Sequence, residues 1–310
     1  MSKQRSPAAD YAVYLVVRVL ICVIQALPVA TALAVADALA WLAYRLDRRH
    51  REVAADNLRH AFPDVTDPVE IDRRVRAVFR HFIRLVVEIA VLPRKLHASN
   101  WRRHVQFPRA PLVIDHLLSR RPLFFLTGHF GNWEAGGYVL GLLGFRTYAV
   151  ARVLDNPYLD DFLRRFREAT GQKLLAKKGD FDQMEAILRD GGVIATLADQ
   201  DAGQRGLFVD FFHRPASTHK AVALLALEHN VPMLVTGIRA TGQPLHYEIV
   251  VEELIDPAEY AGKPDAVRAM TQRFSAALER IIRQSPEQYF WLHRRWKHQP
   301  AKKKSKAAAA

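Results

Sequence analysis

The sequence has few cysteines and, for its size, few acidic residues. Cys22 is the single cysteine among 310 residues, so no intrachain disulfide can form, which agrees with a reducing compartment. The 45 lysines and arginines outnumber the 32 acidic residues and give a net charge of +13. Four lysines of the C-terminal tail supply part of this excess, and the rest of the chain still carries +9. We therefore expect anionic partners, such as a phosphate-bearing lipid, an acidic carrier protein or nucleic acid.

Long uncharged apolar runs are also scarce, and the longest covers residues 19–36, about the minimum that spans a bilayer. Arg18, Gln25, Pro28 and Asp37 weaken a simple spanning helix. The segment could cross once, lie as a bent hairpin in one leaflet, or be a signal peptide, and we favour a retained anchor. The basic flank after it, at residues 45–51, is richer than the flank before it. This asymmetry predicts that the domain after the segment lies on the cytoplasmic side of the membrane.

No internal repeat is present, which leaves an ordinary globular architecture. Short apolar runs alternate with helical patterns from residue 123 onward, as expected for a mostly parallel sheet flanked by helices. The predicted strands cover residues 123–127, 147–152, 193–198, 232–239 and 246–252. The predicted helices cover 48–61, 68–92, 132–143, 157–170, 181–189, 217–229 and 264–284, with Ser217 or Thr218 capping the sixth. We predict an anchoring segment (1–47), one α/β catalytic domain (48–300) and a disordered basic tail (301–310).

The chain is organised around the stretch LFFLTGHFGNWE, residues 123–134. An apolar strand ends in a turn with two glycines, and Asn132 can cap the helix that follows. This places His129 at the carboxyl edge of the sheet, where open α/β sheets hold ligands. His129 can act as a general base, and Glu134 is close enough to orient it. The alternative is that both side chains only cap backbone groups.

The block GHFGNWE, residues 128–134, resembles the catalytic block of the late acyltransferases of lipid A biosynthesis, the lauroyl and myristoyl transferases. The wider group includes phosphatidylinositol mannoside acyltransferases. Similar segments run from NLRHAFP (57–63) to PEQYFWLHRRWK (286–297), so the resemblance covers nearly the whole chain. It implies a glycerolipid-acyltransferase-like fold, no cofactor, and transfer of an acyl group from acyl carrier protein or acyl-CoA to a glycolipid hydroxyl at an anionic membrane surface.

The resemblance also implies roles for individual residues. His129 and Glu134 would form the catalytic pair, and attack on the thioester would be direct, because the block holds no serine or cysteine to form a covalent intermediate. Several other side chains are expected near the site. Arg152, Arg294 and Arg295 would bind the oxyanion or a phosphate, and Gly131, Asn132, Lys177, Asp199 and Gln200 would shape the substrate cleft.

Two readings of another class remain open from the residues alone. A basic nucleic-acid-binding protein would suit the charge, but no known binding motif is present and the apolar N-terminal segment opposes it. A metallohydrolase using His129 and Glu134 lacks further ligands at the usual spacing, and the Asp-x-Asp at Asp199 is more simply a loop feature, so we expect no metal.

Overall fold

The structure is a computed structural model that describes residues 6–151, 153–176 and 181–300. Its helices are α1 Pro7–Ala26, α2 Val29–Leu46, α3 Arg48–Ala61, α4 Pro68–Lys95, α5 Trp101–His104, α6 Ala110–Leu118, α7 Trp133–Leu142, α8 Pro157–Glu168, α9 Phe181–Arg189, α10 Ala221–Glu228 and α11 Ala266–Gln284. Its strands are β1 Val105–Gln106, β2 Leu123–Thr127, β3 Tyr148–Ala151, β4 Lys173–Ala176, β5 Val193–Leu197, β6 Leu207–Phe211, β7 Arg214–Thr218, β8 Met233–Ala240 and β9 Tyr247–Ile255.

The main sheet has seven strands in the order β1-β9-β8-β2-β5-β3-β4. The five strands from β8 to β4 are parallel, whereas β9 runs antiparallel to β8 and pairs in parallel with β1. The predicted mostly parallel sheet flanked by helices is therefore confirmed. β2 lies inside the sheet, between β8 and β5, so its carboxyl end opens at the edge where the parallel strands finish together.

The sheet separates two hydrophobic layers, and β2 contributes to both because its side chains alternate. Phe124 and Leu126 pack with the layer formed mainly by α3, α4, α10 and α11. Leu123 and Phe125 pack on the opposite side, with Ala135 and Val139 of α7 among their neighbours. A strand buried on both faces reads as a continuous apolar run, which is why this strand is predictable from the sequence.

One predicted element is wrong. Residues 217–229 do not form a single helix, because Ser217 and Thr218 belong to β7 and the helix begins at Ala221. β6 and β7 form a hairpin joined through Phe212 and His213, which have φ of 52° and 60°. These positive values give the twist of a two-residue hairpin turn, although neither residue is the glycine or asparagine that usually marks one.

Candidate active site

Strand register brings the two central side chains of the site together. Thr127, the last residue of β2, lies opposite Leu197, the last residue of β5. His129 and Asp199 each follow two residues later, so parallel pairing leaves both at the same level of the same edge. The segments after β2 and β5 both leave the sheet here, and the side chains of His129 and Asp199 meet above its edge.

Asp199 binds His129 through both of its oxygens. Oδ2 accepts a hydrogen bond from the backbone N–H of His129 at 2.8 Å, and Oδ1 lies 2.8 Å from the ring Nδ1. A carboxylate is only an acceptor, so the proton of the neutral ring lies on Nδ1 and the lone pair lies on Nε2. The amide nitrogen of Gln200 donates to that Nε2 at 3.3 Å. Nε2 therefore keeps its basic lone pair. The neighbouring Gln200 amide lies near the long end of hydrogen-bond distance.

The environment keeps Asp199 ionised although it is only 3% exposed. Burial acts to raise its pKa, but the electrostatic interaction with His129, the two hydrogen bonds from His129 and the charge of Arg295 lower the pKa to about 2. Arg295 is itself buried, and it donates to the backbone oxygen of Ser217 at 2.6 Å and to Thr218 Oγ1 at 2.7 Å. A fixed negative charge behind the imidazole stabilises the imidazolium that forms when Nε2 takes a proton.

A cavity of about 690 Å³ lies against this pair. His129, Trp133, Glu134, Arg167 and Gln200 line it together with many apolar side chains. The apolar lining includes Leu140, Val150, Leu154, Leu163, Met184 and Leu225. This volume lies in the range of small-molecule sites, and a mostly apolar wall with a few polar groups suits a ligand that is largely hydrocarbon.

Glu134 occupies the first helical turn, as predicted, but it does not hold the imidazole through Nδ1. Its carboxylate forms a bidentate ion pair with Arg167 of α8, with Nε at 3.0 Å and Nη2 at 2.5 Å. Glu134 was expected to orient the imidazole of His129, but the carboxylate that bonds its Nδ1 is Asp199. Both partners of the Glu134–Arg167 pair are largely buried and line the same cavity as His129.

The turn that carries His129 is held by backbone bonds to distant parts of the chain. The N–H of Gly131 donates to the oxygen of Gln288 and that of Asn132 donates to the oxygen of Ile238, both at 2.9 Å. The N–H of Phe290 donates back to the oxygen of His129 at 3.0 Å. Gly131 has a φ of +58°, and a Cβ at this position would lie 1.6 Å from the Ile238 oxygen. Only glycine fits the turn.

A buried polar cluster on α4 supports the same turn, and the sequence reasoning missed it. Asn132 caps α7 by accepting from Ala135 N–H at 3.1 Å, and its amide donates to Glu88 at 3.1 Å and to Tyr247 at 3.2 Å. Tyr247 also donates to Glu88, and burial raises the pKa of Glu88. The signal was one glutamate inside the apolar run of residues 85–92.

His81, one of the α4 residues, bonds the turn directly. Its Nε2–H donates to the Gly131 oxygen at 3.2 Å. Burial lowers the pKa of His81 from its usual 6.5 to about 4, against the smaller opposite effect of that hydrogen bond. The ring is therefore neutral at physiological pH and acts as a donor to the backbone.

Of the other predicted site residues that the structure describes, three are buried inside the protein and one is exposed. Gly131 and Asn132 are not cleft residues, because they are buried against β8 and α4. Arg295 does not meet a lipid phosphate, because it is 2% exposed and bonded inside the protein. Arg294 is exposed. Two further predicted residues, Arg152 and Lys177, lie outside the described residues.

Comparison with known proteins shows the family of the chain. The model of a family described as bacterial lipid A biosynthesis acyltransferase matches residues 2–298. The chain is 24% identical over 268 residues to a lipid A biosynthesis lauroyltransferase of Escherichia coli, covering 84% of this chain and 83% of that protein. It is 25% identical over 186 residues to a lipid A biosynthesis palmitoleoyltransferase of the same species, covering 59% and 58%. It is also 26% identical over 173 residues to a phosphatidylinositol mannoside acyltransferase of Mycobacterium tuberculosis, covering 54% and 52%.

The mostly parallel sheet carries a histidine–carboxylate pair at its carboxyl edge beside an apolar cavity, which suits acid–base chemistry on a substrate that is largely hydrocarbon. The chain belongs to the bacterial lipid A biosynthesis acyltransferase family, whose model spans nearly its whole length. The nucleic-acid-binding alternative gains no support from these matches.

The close approach of Gly131 to β8 predicts a stability difference between two glycines. Gly131→Ala and Gly144→Ala both place alanine at positive φ, which costs roughly 1–2 kcal/mol. A Cβ at Gly144 meets nothing within 4 Å, whereas one at Gly131 meets backbone. We expect Gly131→Ala to lower the free energy of unfolding by at least about 1–3 kcal/mol more than Gly144→Ala. Denaturant titration of both purified variants measures this, and equal losses would contradict the observed approach.

Burial of neutral His81 predicts acid sensitivity. The unfolded chain takes up a proton at this residue below about pH 6.5, and the folded chain only near pH 4, so the free energy of unfolding falls as pH drops through that interval. The loss is on the order of 3 kcal/mol. His81→Gln keeps a donor for Gly131 and should flatten this pH dependence, whereas His97→Gln, at an exposed site, should leave it unchanged. Identical pH profiles for wild type and His81→Gln would refute the assignment.

Proposed function

We propose that the protein moves a fatty acyl group from a thioester donor to a hydroxyl of a glycolipid, with His129 as the general base. The observation that carries the proposal is the His129–Asp199 pair beside a largely apolar cavity. The family match supports the same reaction class. The preferred acceptor is a lipid A precursor, since the two matched relatives from Escherichia coli are named as acyltransferases of lipid A biosynthesis.

The proposed mechanism starts at Nε2 of His129. An acceptor hydroxyl displaces the Gln200 amide and gives its proton to Nε2 while its oxygen attacks the thioester carbonyl. Asp199 stabilises the imidazolium and fixes the tautomer. The tetrahedral intermediate collapses, the thiolate leaves, and the imidazolium returns the proton to the sulfur. Attack is direct, because the ring nitrogen serves as a base and not as a nucleophile.

The oxyanion needs a donor at the same edge. Arg152 directly follows β3, which pairs in parallel with β5, and it remains the proposed oxyanion or phosphate ligand together with backbone amides of the turn. Glu134 contributes through Arg167, which it holds in the cavity wall. Arg294, which is exposed, and Lys177 remain proposed contacts for lipid phosphate.

The apolar cavity is proposed to hold the acyl chain, and the basic surface to receive the donor. Acyl carrier proteins are acidic, so a chain with a net charge of +13 suits such a donor better than a neutral one. The catalytic domain is proposed to work at the cytoplasmic face of the inner membrane. A phosphatidylinositol mannoside-type acceptor is the second candidate, supported by the mycobacterial relative.

Acyl transfer in vitro tests the proposal, with acyl carrier protein and acyl-CoA as donors, both acceptor lipids, and product mass as the readout. His129→Ala should lower the rate about 10²- to 10⁴-fold. Asp199→Asn should also cost orders of magnitude, because an amide cannot accept from both N–H groups of His129. The double variant should be scarcely slower than either single one, since the two residues act as a unit.

Asp201→Asn is the matched control. Asp201 lies in the same loop, and its carboxylate pairs with His298 at 2.6 Å. We expect near-normal turnover for Asp201→Asn. A folded Asp199→Asn enzyme with wild-type rates, or no transfer from any donor by the wild type, would overturn the proposed function.

Glu134 gives a separate prediction that distinguishes its two possible roles. If Glu134 acts through Arg167, the losses from Glu134→Gln and Asp199→Asn should multiply in the double variant, because they affect different groups in the transition state. If Glu134 orients His129, the double variant should be little slower than Asp199→Asn alone. The same assay decides between them, and Arg167→Lys should reproduce the effect of Glu134→Gln only in the first case.

A further inference from the structure

α1 and α2 present apolar faces that no part of the described protein covers. Both are long and apolar enough to cross a membrane by length and composition. The exposed large apolar residues are Tyr11, Val13, Leu15, Val16, Val19, Leu20 and Val23 on α1, and Val35, Leu39, Trp41, Leu42 and Leu46 on α2. The opposite faces of the two helices are not free, and what they touch decides how a membrane can receive them.

α2 lies side by side with α4 and runs in the opposite direction. Near its C-terminal end Tyr44 bonds Asp72, and at its middle Asp37 pairs with both Arg80 and Arg84. Nearer its start, small and apolar residues of α2 pack against Val87. The contacts thus follow both helices for most of the length of α2, and the two move as one unit.

The ion pairs of Asp37 oppose an orientation in which α2 crosses the bilayer perpendicular to the membrane plane. Burial acts to raise the pKa of Asp37, but Arg84 and Arg80 lower it to about 2, so the carboxylate is charged. Asp37 is at the middle of an 18-residue helix, and a span would put it at the bilayer centre. The Arg80 side chain is 56% exposed and would face lipid there, at a cost of roughly 3 kcal/mol or more for one arginine. Other exposed arginines of α4 would follow it.

α1 is attached to the catalytic domain along its length as well. Near its start, the amide of Asn156 donates to the Asp10 oxygen at 2.8 Å, and the rings of Tyr11 and Tyr14 lie 5.1 and 6.0 Å from that of Tyr158. These contacts join α1 to the N-terminal end of α8. They fix that end of α1 beside Asn156 and Tyr158.

The middle and end of α1 are held too. The guanidinium of Arg18 lies 4.7 Å from the ring centre of Phe162, and the amide of Gln25 donates to the Ala90 oxygen of α4 at 2.7 Å. α8 is strongly charged on its other faces, where Arg164 pairs with Asp161 and Glu168. α1 therefore cannot enter the hydrocarbon centre end-on without drawing α8 in with it.

We propose that α1 and α2 lie in the plane of one leaflet, with their uncovered faces in the outer hydrocarbon and their other faces on the catalytic domain. The occupant is a bilayer with anionic headgroups. Trp41 lies 5.4 Å from the Arg45 guanidinium, and Arg48 and Arg49 are exposed just beyond α2, as expected at a charged interface.

This seating deepens the proposed function without depending on its chemistry. Leu154 lines the cavity and stands just before α8, at the end that α1 contacts. The wall of the cavity is then next to the leaflet, which lets a lipid acceptor reach His129 without leaving the membrane entirely.

Depth measurements on the full chain test the orientation. In a Cys22→Ser background, single cysteines replace Val13 or Leu20 on α1, and Val35 or Leu42 on α2, and each is labelled with an environment-sensitive fluorophore. Each pair is two turns apart, and all four residues are exposed. Vesicles of phosphatidylethanolamine and phosphatidylglycerol carry quenchers at several depths. In-plane helices give equal depths within a pair, whereas spanning helices give depths about 10 Å apart.

Leu118→Cys is the control, because this exposed residue ends α6 just before β2, at the opposite edge of the sheet from the site. We expect no quenching there. A 10 Å difference within either pair overturns the in-plane seating, and no quenching at all four positions overturns membrane binding by these faces. A thiol cross-link between Tyr11→Cys and Tyr158→Cys should form in vesicles as in detergent, and its loss in vesicles also overturns the proposal. None of these measurements requires acyl transfer. They therefore test the orientation of α1 and α2 even if the proposed enzymatic activity is not found.

Discussion

The bond between Asp199 and His129 is the interaction on which the site depends. One buried carboxylate accepts from both the backbone and the ring of the same residue, so it sets the position of the turn and the tautomer of the imidazole together. Its charge is costly inside the protein and is offset by His129 and by buried Arg295. Arg295 in turn donates hydrogen bonds to the end of β7. The hairpin thus holds in place the arginine whose charge stabilises the Asp199 carboxylate.

The sequence predicted the first half of this arrangement because it is local. β2, the turn, the Asn132 cap and the start of α7 follow one another along the chain, and each has its own signal in apolar runs, glycine and capping residues. Asp199 was expected only to shape the site, because its contact with His129 crosses 70 residues and depends on β2 pairing with β5. Glu134 was assigned to His129 because it is near in sequence, while its partner Arg167 lies on α8.

Two other differences have the same physical origin. The hairpin of β6 and β7 turns through Phe212, whose positive φ is tolerated because its ring is fully buried among other aromatic rings. Tertiary packing here overrides the local preference for glycine. Likewise, Glu88 and His81 are ordinary members of an amphipathic helix in the sequence, and they acquire their roles only where α4 meets the turn.

The backbone hydrogen bonds between the turn and residues Gln288 and Phe290 also determine when the site can assemble during synthesis. The histidine emerges from the ribosome early, but the strand that bonds Asn132 and the segment that bonds Gly131 follow more than 100 and 150 residues later. Such long-range pairings close last in folding. A growing chain thus carries His129 in an unassembled turn until the segment with Gln288 and Phe290 has also emerged, so the pocket around this residue takes its final form only after that segment is synthesised.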